Sequence, residues 1–411
     1  MMFPNEWPHA VVYEDIRTPL WSTTHYDVYF LSLWFWLEIA LVCILEAMIG
    51  ALCGALLYAF VLLPRKLRKH PHVTPTDCVW VFGIVIPFWI FCPNPVMNAL
   101  GVHNQIFRFC MGTITPTLSM FRATQALFGF APISDSLGSY AFQYGSPLLV
   151  QIDATTGQWK RASWASTGRK FMDSRMWIFA TGALQSCLYC FDSYFPSFHY
   201  PRPEHYYSFE YVTLRRISDN FWLGLLVMVY LTAFCDGLAF LTMLLTGYET
   251  QPVMRNPLFG SASPSEFWGR RWNCLIHDCL KQGVYKPIRS LGGSHAVGVL
   301  GAFVASGAFH EWLLETAFPT VVPVHGPTLF FFLWQVVLVV MEQQVEARWK
   351  LFSTLRKKLP RPLLSLLVIL LALPIGHLFL DSYIHSAFFE HGSLLLPIVR
   401  PVGTGLTGKG G

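Results

Sequence analysis

Long apolar runs separated by short basic segments dominate the pattern of this 411-residue chain. A helix needs about 20 predominantly apolar residues to cross a bilayer. The candidate runs are Val28 to Leu63, Cys78 to Cys92, Arg175 to Phe195, Phe221 to Gly247, Leu291 to Phe318, Pro327 to Val345 and Leu363 to Leu380. The first is too long for one ordinary span. Gly50 and Gly54 mark a bend in it, and Glu38 and Glu46 predict that protein covers its first half. The pattern as a whole predicts roughly seven to nine spans.

Basic residues collect on the cytoplasmic side of membrane proteins. Four clusters qualify: Arg65 to Lys69, Lys160 to Arg175, Arg270 to Arg289 and Arg348 to Arg361. An even number of crossings must separate each pair, yet only one clear span lies between the first two. A returning segment is therefore predicted within Val96 to Phe130, over Met97 to Gly112, with a break near Pro93 and Pro95. Within the polar stretch Ser134 to Ser174, the turn Asp153 to Gly157 between Leu148 to Ile152 and Gln158 to Lys160 predicts a small hairpin. Pro196 to Asp219, rich in Pro, Tyr and Phe, reads as an interfacial loop. The chain thus divides into an N-terminal segment (1–27), a transmembrane domain (28–381) and a C-terminal tail (382–411). The N-terminus carries Glu6, Glu14 and Asp15 and lacks the basic start of a cleavable signal, so the first apolar run is predicted to be an uncleaved anchor.

Composition agrees with a bilayer as solvent. Charged residues are 13% of the chain, against roughly a quarter in soluble domains, and aromatics reach 16%. The net charge of +5 comes from the short clusters, with no extended basic tract of the kind that binds nucleic acid. Most of the ten cysteines lie in or beside apolar runs, and Cys187 and Cys190 lack a second pair at zinc-site spacing, so neither a disulfide framework nor a metal site is expected.

Two segments carry chemistry. Ser263, Pro264 and Glu266 form a helix-start signal, and Gly283 a stop. Between them Trp268, Trp272, Leu275, Ile276 and Cys279 make an apolar stripe, with Arg270, Asn273 and His277 on another face. This predicts one amphipathic helix lying in the membrane surface. The second segment, Gly301 to Glu311, is rich in small residues and places His310 and Glu311 deep in an apolar run. Ionisable groups there are costly and face a protein interior or a wet cavity, which makes His310 a functional candidate. Ser306 and Phe303, four and seven residues earlier, share its face. Consecutive helical residues diverge, so Glu311 is not expected to touch His310. His295 and His377 read as helix-contact or interface residues.

Phe267-Trp268-Gly269-Arg270-Arg271-Trp272-Asn273, followed by Ser306-Gly307-Ala308-Phe309-His310-Glu311, resembles the signature pair of membrane-bound O-acyltransferases, in the form found in the wax synthase branch. The stretch Met120-Phe121-Arg122 to Ala131-Pro132 is similar to fungal wax-synthase-like acetyltransferases of terpenoid and meroterpenoid pathways. The likeness runs loosely from about residue 75 to 380, with the signature at about 260–345, and is specific only in the two motifs. It implies an all-α, multi-helix bundle around a membrane-embedded catalytic tunnel, set in the endoplasmic reticulum. An acyl-CoA, acetyl-CoA foremost, enters from the cytosol as cosubstrate with no bound cofactor, and the partner substrate is a small-molecule alcohol. The residues implied are His310 as catalytic base and Asn273 in support, by orienting the ring or by donating to an oxyanion. Arg270, Arg271, Trp272, His277 and Ser306 would line the substrate and CoA path.

Acyl transfer to an alcohol needs a base for the hydroxyl proton, a task that neutral imidazole suits. Two other readings stand beside it. His72 to Asp77 matches the H-x4-D pattern of a different acyltransferase class, and intramembrane polar groups also suit a transporter, although no paired half-repeats are present.

Overall fold

The apolar runs fold as long helices in the computed structural model, which describes residues 18–68, 72–131, 136–191, 212–318, 325–348 and 358–402. Among the described residues five helices are long and apolar enough to cross a membrane: α1 (Leu33–Leu67), α2 (Pro75–Ala99), α6 (Leu214–Thr246), α8 (His295–Ala317) and most of α9 (Pro327–Arg348). A further pair, α10 (Arg361–Ile375) and α11 (His377–His385), meets the same test as one span bent by 65°. Two more long helices, α3 (Gln105–Phe128) and α5 (Trp164–Cys190), are more polar.

α1 shows how one sequence serves two solvents. Phe35, Ile39, Cys43, Glu46, Gly50 and Gly54 fall at helical spacing and are buried. Leu33, Leu37, Leu41, Leu45 and Leu52 face outward, as a lipid-facing surface requires. Glu46 is protein-covered as predicted, but the predicted bend at Gly50 and Gly54 is absent: the helix continues to Leu67, and its irregularity is a π turn at Tyr58–Leu62. The glycines instead admit α4 (Leu137–Gly145). A Cβ on Gly54 would lie 2.5 Å from Tyr144 Cβ, and one on Gly145 would lie 2.4 Å from the Ala47 carbonyl. Small residues let these two backbones approach, as at many helix interfaces in membranes.

Where the sequence predicts a returning segment, the structure has a long helix with different bounds, which is not among the candidate spans. Met97 lies in the last turn of α2, which runs through Pro93 and Pro95 to Ala99, and the helix that follows is α3. Asn104 sets its start by accepting hydrogen bonds from the Ile106 and Phe107 amides, and Gly129 at φ +77° ends it. α3 carries buried Gln105, Arg108, Thr113, Thr117, Ser119, Arg122 and Gln125, so its surroundings are protein. The two arginines are met largely by backbone carbonyls. Arg108 donates to Thr316 O at 3.0 Å and to Val102 O at 2.9 Å; Arg122 donates to Tyr144 O at 2.6 Å and Ser146 O at 2.8 Å. These bonds tie α3 to the end of α8 and to α4. Charge-assisted bonds of this kind are among the stronger ones a buried interior offers.

Polar elaborations flank the bundle. The hairpin at 148–160 is present, closed by Asp153 N to Gln158 O at 2.7 Å, and residues 248–250 join it through bridges Val150 to Thr250 and Arg161 to Tyr248. The predicted interfacial loop falls mostly on 192–211, outside the described residues, but Leu214 to Asp219 belong to α6, whose N-cap is Thr213. Strands β1 (Trp21–Ser22), β2 (Tyr26–Tyr29) and β3 (Ile398–Pro401) form one antiparallel sheet that joins the two terminal segments, with Asp27 opposite Arg400.

The contact of α1 with α4 sets a stability test. Gly145→Ala should cost about 1–3 kcal/mol by overpacking, since its methyl would meet Ala47 O and Ala51 N. Gly168→Ala in α5, with no atom within 4 Å, should be neutral or slightly stabilising. Thermal unfolding in detergent compares the two.

Candidate active site

The amphipathic segment starts as predicted. The Ser263 hydroxyl accepts the Glu266 amide at 3.2 Å, with Pro264 in the first turn. It does not continue as one helix. Phe267–Arg271 form a π turn, Trp272 is extended, and Asn273 is left-handed at φ +39°. Only then does α7 (Cys274–Leu280) begin, and helix continues past Gly283 through Lys281–Tyr285 and Lys286–Ser290. Asparagine is among the few non-glycine residues that adopt this backbone readily. Here its Oδ1 also caps α7 by accepting the Ile276 amide at 3.2 Å.

Neighbouring elements hold the broken segment. Glu342 of α9 accepts from the Ser265 amide (2.8 Å) and hydroxyl (2.9 Å), and Gln335 accepts the Trp268 indole N–H at 3.2 Å. Arg271 pairs with Glu266 at 2.7 Å and donates to Arg255 O at 3.0 Å. Burial alone would raise the Glu266 carboxyl, but the Ala262 amide and the Arg271 guanidinium outweigh it and hold the group below the usual carboxylate range.

His310 lies on α8 with Nδ1 2.7 Å from the Ser306 carbonyl. A carbonyl only accepts, so Nδ1 carries the proton and Nε2 presents a lone pair. The rings of Phe332 (4.7 Å), Phe309 (5.1 Å) and Phe379 (5.5 Å) surround the imidazole. Glu311 points elsewhere and accepts the Leu329 amide in the first turn of α9 at 3.0 Å.

Two cavities meet at this point. The larger, about 490 Å³, runs between α8 and α9 from His310 and Phe331 to His295 and Gln343, with Lys281 and Tyr285 near the latter end. The smaller, about 180 Å³, lies among α3, α6 and α11 and is lined by Phe109, Thr113, Leu313 and Tyr383 among others. His310, Asn273 and Trp272 line both. The Asn273 side chain has no hydrogen bond among the described residues beyond its cap, which leaves its Nδ2 donor for a ligand.

The structure thus brings together five of the residues singled out in the sequence. His310, Asn273 and Trp272 form the shared wall, while Ser306 and His277 line the larger chamber. Burial, then the nearby Lys281 charge, lowers the His277 pKa below its ordinary value. Arg270 is exposed and Arg271 is engaged with Glu266; neither lines a chamber. Asp77 of the H-x4-D pattern accepts the amide of the N-cap Thr74 at 2.9 Å and pairs with Arg68 at 2.8 Å. His295 bonds Tyr285 at 2.8 Å at the chamber's polar end, and His377 is buried. Phe332, Phe379, Gln335 and Tyr383 escaped the sequence reading. The signal for Gln335 was a glutamine at helical spacing in the apolar run of α9.

These features define a multi-pass helical membrane protein whose interior holds a proton acceptor and an amide donor between two largely apolar chambers. Residues 250–334 match the model of the membrane bound O-acyl transferase family. Among curated proteins the chain is similar to probable long-chain-alcohol O-fatty-acyltransferase 9 of Arabidopsis thaliana, 34% identical over 94 residues, covering 21% of this chain and 27% of that protein. Long-chain-alcohol O-fatty-acyltransferase 8 (probable) of the same plant is 32% identical over 131 residues, 29% of this chain and 37% of its own. Acyl-CoA–sterol O-acyltransferase 1, also from that plant, is 35% identical over 69 residues, 15% and 20% of the two chains. In each case the match spans well under half of the relative's length. The findings support the membrane-bound O-acyltransferase superfamily.

The left-handed cap predicts an order of stabilities. Asn273→Gly keeps the backbone conformation and should cost a few tenths of a kcal/mol, whereas Asn273→Ala loses the cap and strains the turn, about 1–2 kcal/mol. Melting of the purified variants reads the difference.

Proposed function

We propose that this protein is a membrane-bound O-acyltransferase that moves acetyl from acetyl-CoA to the hydroxyl of a terpenoid or meroterpenoid alcohol. The observation that carries the reading is the common wall of the two chambers, with the His310 imidazole and the Asn273 carboxamide in it. One substrate enters from each side, and the reacting atoms meet at that wall.

The thioester occupies the larger chamber. Its far end carries Lys281, within the basic segment 270–289, which suits the phosphates of CoA. The alcohol occupies the smaller chamber with its hydroxyl on His310 Nε2. Nε2 takes the proton as the oxygen attacks the thioester carbonyl. The Asn273 Nδ2 donates to the oxyanion that develops. Collapse breaks the C–S bond, and the imidazolium returns its proton to the departing thiolate. Because Ser306 already orients the imidazole and the Asn273 oxygen already caps α7, the donor role suits Asn273 better than the orienting one.

Acetyl as the group moved is supported by the likeness of the Met120 to Pro132 stretch to fungal acetyltransferases. Long-chain wax or sterol ester synthesis is the second reading, favoured by what the similar plant proteins are named for. The reading places the protein in the endoplasmic reticulum.

Microsomes from a host lacking the pathway, supplied with labelled acetyl-CoA and a set of alcohols, test both readings by mass spectrometry of the products. A gain of one acetyl mass supports the first and a long-chain ester the second; vesicle uptake without any new ester overturns both in favour of transport. His310→Ala should accumulate normally and lose transfer, a fall of about 10²–10⁴ in turnover or more. Unchanged turnover removes His310 from the mechanism.

A further inference from the structure

The smaller chamber is apolar, yet it holds a hydroxyl with nothing to bind. Tyr383 of α11 is 5% exposed and lines this chamber alone. Its ring is fixed on edge by Phe318 at 5.6 Å and Phe388 at 5.3 Å. Its hydroxyl has no hydrogen-bond partner among the described residues and is not among the fully buried unpartnered polar atoms, and the residue lines the chamber. Tyr230, another tyrosine of the same wall, is already committed to Gln185. On α3, Thr113 is 6% exposed, lines the same space and likewise has no side-chain partner among the described residues.

Buried tyrosine hydroxyls ordinarily find a partner, because leaving one unmet forfeits its hydration for nothing. A phenylalanine would fill the same volume without that cost. We infer that the smaller chamber accepts an alcohol with a second oxygen function, remote from the reacting hydroxyl, which the Tyr383 hydroxyl binds by hydrogen bonding, with Thr113 as a further polar contact. This rests on the proposed acyl transfer and on the alcohol occupying this chamber.

One aromatic ring links the two groups, His310 and Tyr383. Phe379 lies 5.5 Å from the His310 ring and 5.5 Å from the Tyr383 ring, centroid to centroid. Phe379 is thus in ring contact with both groups, and Tyr383 lies one helical turn from it along α11. An acceptor that meets both groups carries two separate oxygen functions on an apolar skeleton. A simple fatty alcohol satisfies His310 and leaves Tyr383 unmet. A site built to bond a substrate oxygen discriminates against the analogue lacking it far more sharply than an apolar pocket sorts methylenes.

The test uses matched acceptors, a bicyclic hydroxyketone with its deoxy alcohol and 1,12-dodecanediol with 1-dodecanol, each with acetyl-CoA and palmitoyl-CoA and full-length protein in microsomes. Wild type should favour the doubly oxygenated member of a turned-over pair by at least about tenfold in kcat/KM. Tyr383→Phe should abolish that preference while turning over the deoxy member at wild-type rate or faster, and Thr113→Val should reduce the preference in part. Esters formed with equal preference, or a preference that survives Tyr383→Phe, overturn the assignment and leave acyl transfer standing. Absence of any ester with wild type overturns the acyl-transfer reading and this assignment with it.

Discussion

An imidazole inside a lipid-surrounded bundle has two nitrogens to account for, and the bond from Nδ1 to the Ser306 carbonyl settles both. It satisfies the proton-bearing nitrogen without spending another side chain, and it leaves the opposite nitrogen as an acceptor aimed at the chambers. The acceptor is a carbonyl of the same helix, one turn away, so the tautomer is set by α8 itself. Phe332 and Phe379 then restrict the ring from the helices on either side.

The rest of the architecture delivers a second polar group to that spot. A continuous helix through 263–283 would carry Asn273 round with its neighbours. The break at Trp272 and the left-handed Asn273 redirect the chain so that this residue lines the wall shared with His310. Holding such a break takes anchors: Glu342 and Gln335 of α9 and the Glu266 to Arg271 pair all grip residues just before it. Buried Arg108 bonds the last turn of α8 to α3, so the helix that carries His310 is fixed at its far end as well.

Much of this was legible in the residues. The apolar runs gave most of the helices, the turn at 153–157 gave the hairpin, and an ionisable residue in an apolar run marked His310. The break at Asn273 was hidden because Trp268, Trp272, Leu275, Ile276 and Cys279 satisfy helical spacing whether or not the helix is interrupted; the left-handed preference of asparagine was the available signal. Gly50 and Gly54 were misread as a bend because a glycine that admits another backbone looks the same in sequence as one that frees its own. α3 was misplaced because its arginines and glutamines, buried in protein, do not resemble a lipid-facing span. Phe332, Phe379 and Tyr383 could not be singled out among so many aromatics, since ring spacing does not distinguish a chamber wall from a lipid surface.

Two chambers also bear on the choice of nucleophile in the proposed acyl transfer. A thioester held beside an activated base would be hydrolysed if water reached the base as readily as the alcohol does. Here the approach to His310 is narrowed by Phe309, Phe332 and Phe379, and the smaller chamber offers water few polar partners beyond scattered hydroxyls. An ordered water needs two to four such partners. Apolar walls disfavour water while admitting an alcohol with a largely apolar skeleton, so in the proposed reaction the aromatic packing that fixes the imidazole would also select what it deprotonates. Under the proposed reaction the lone pair of His310 is best protected when the alcohol itself fills the space beside it.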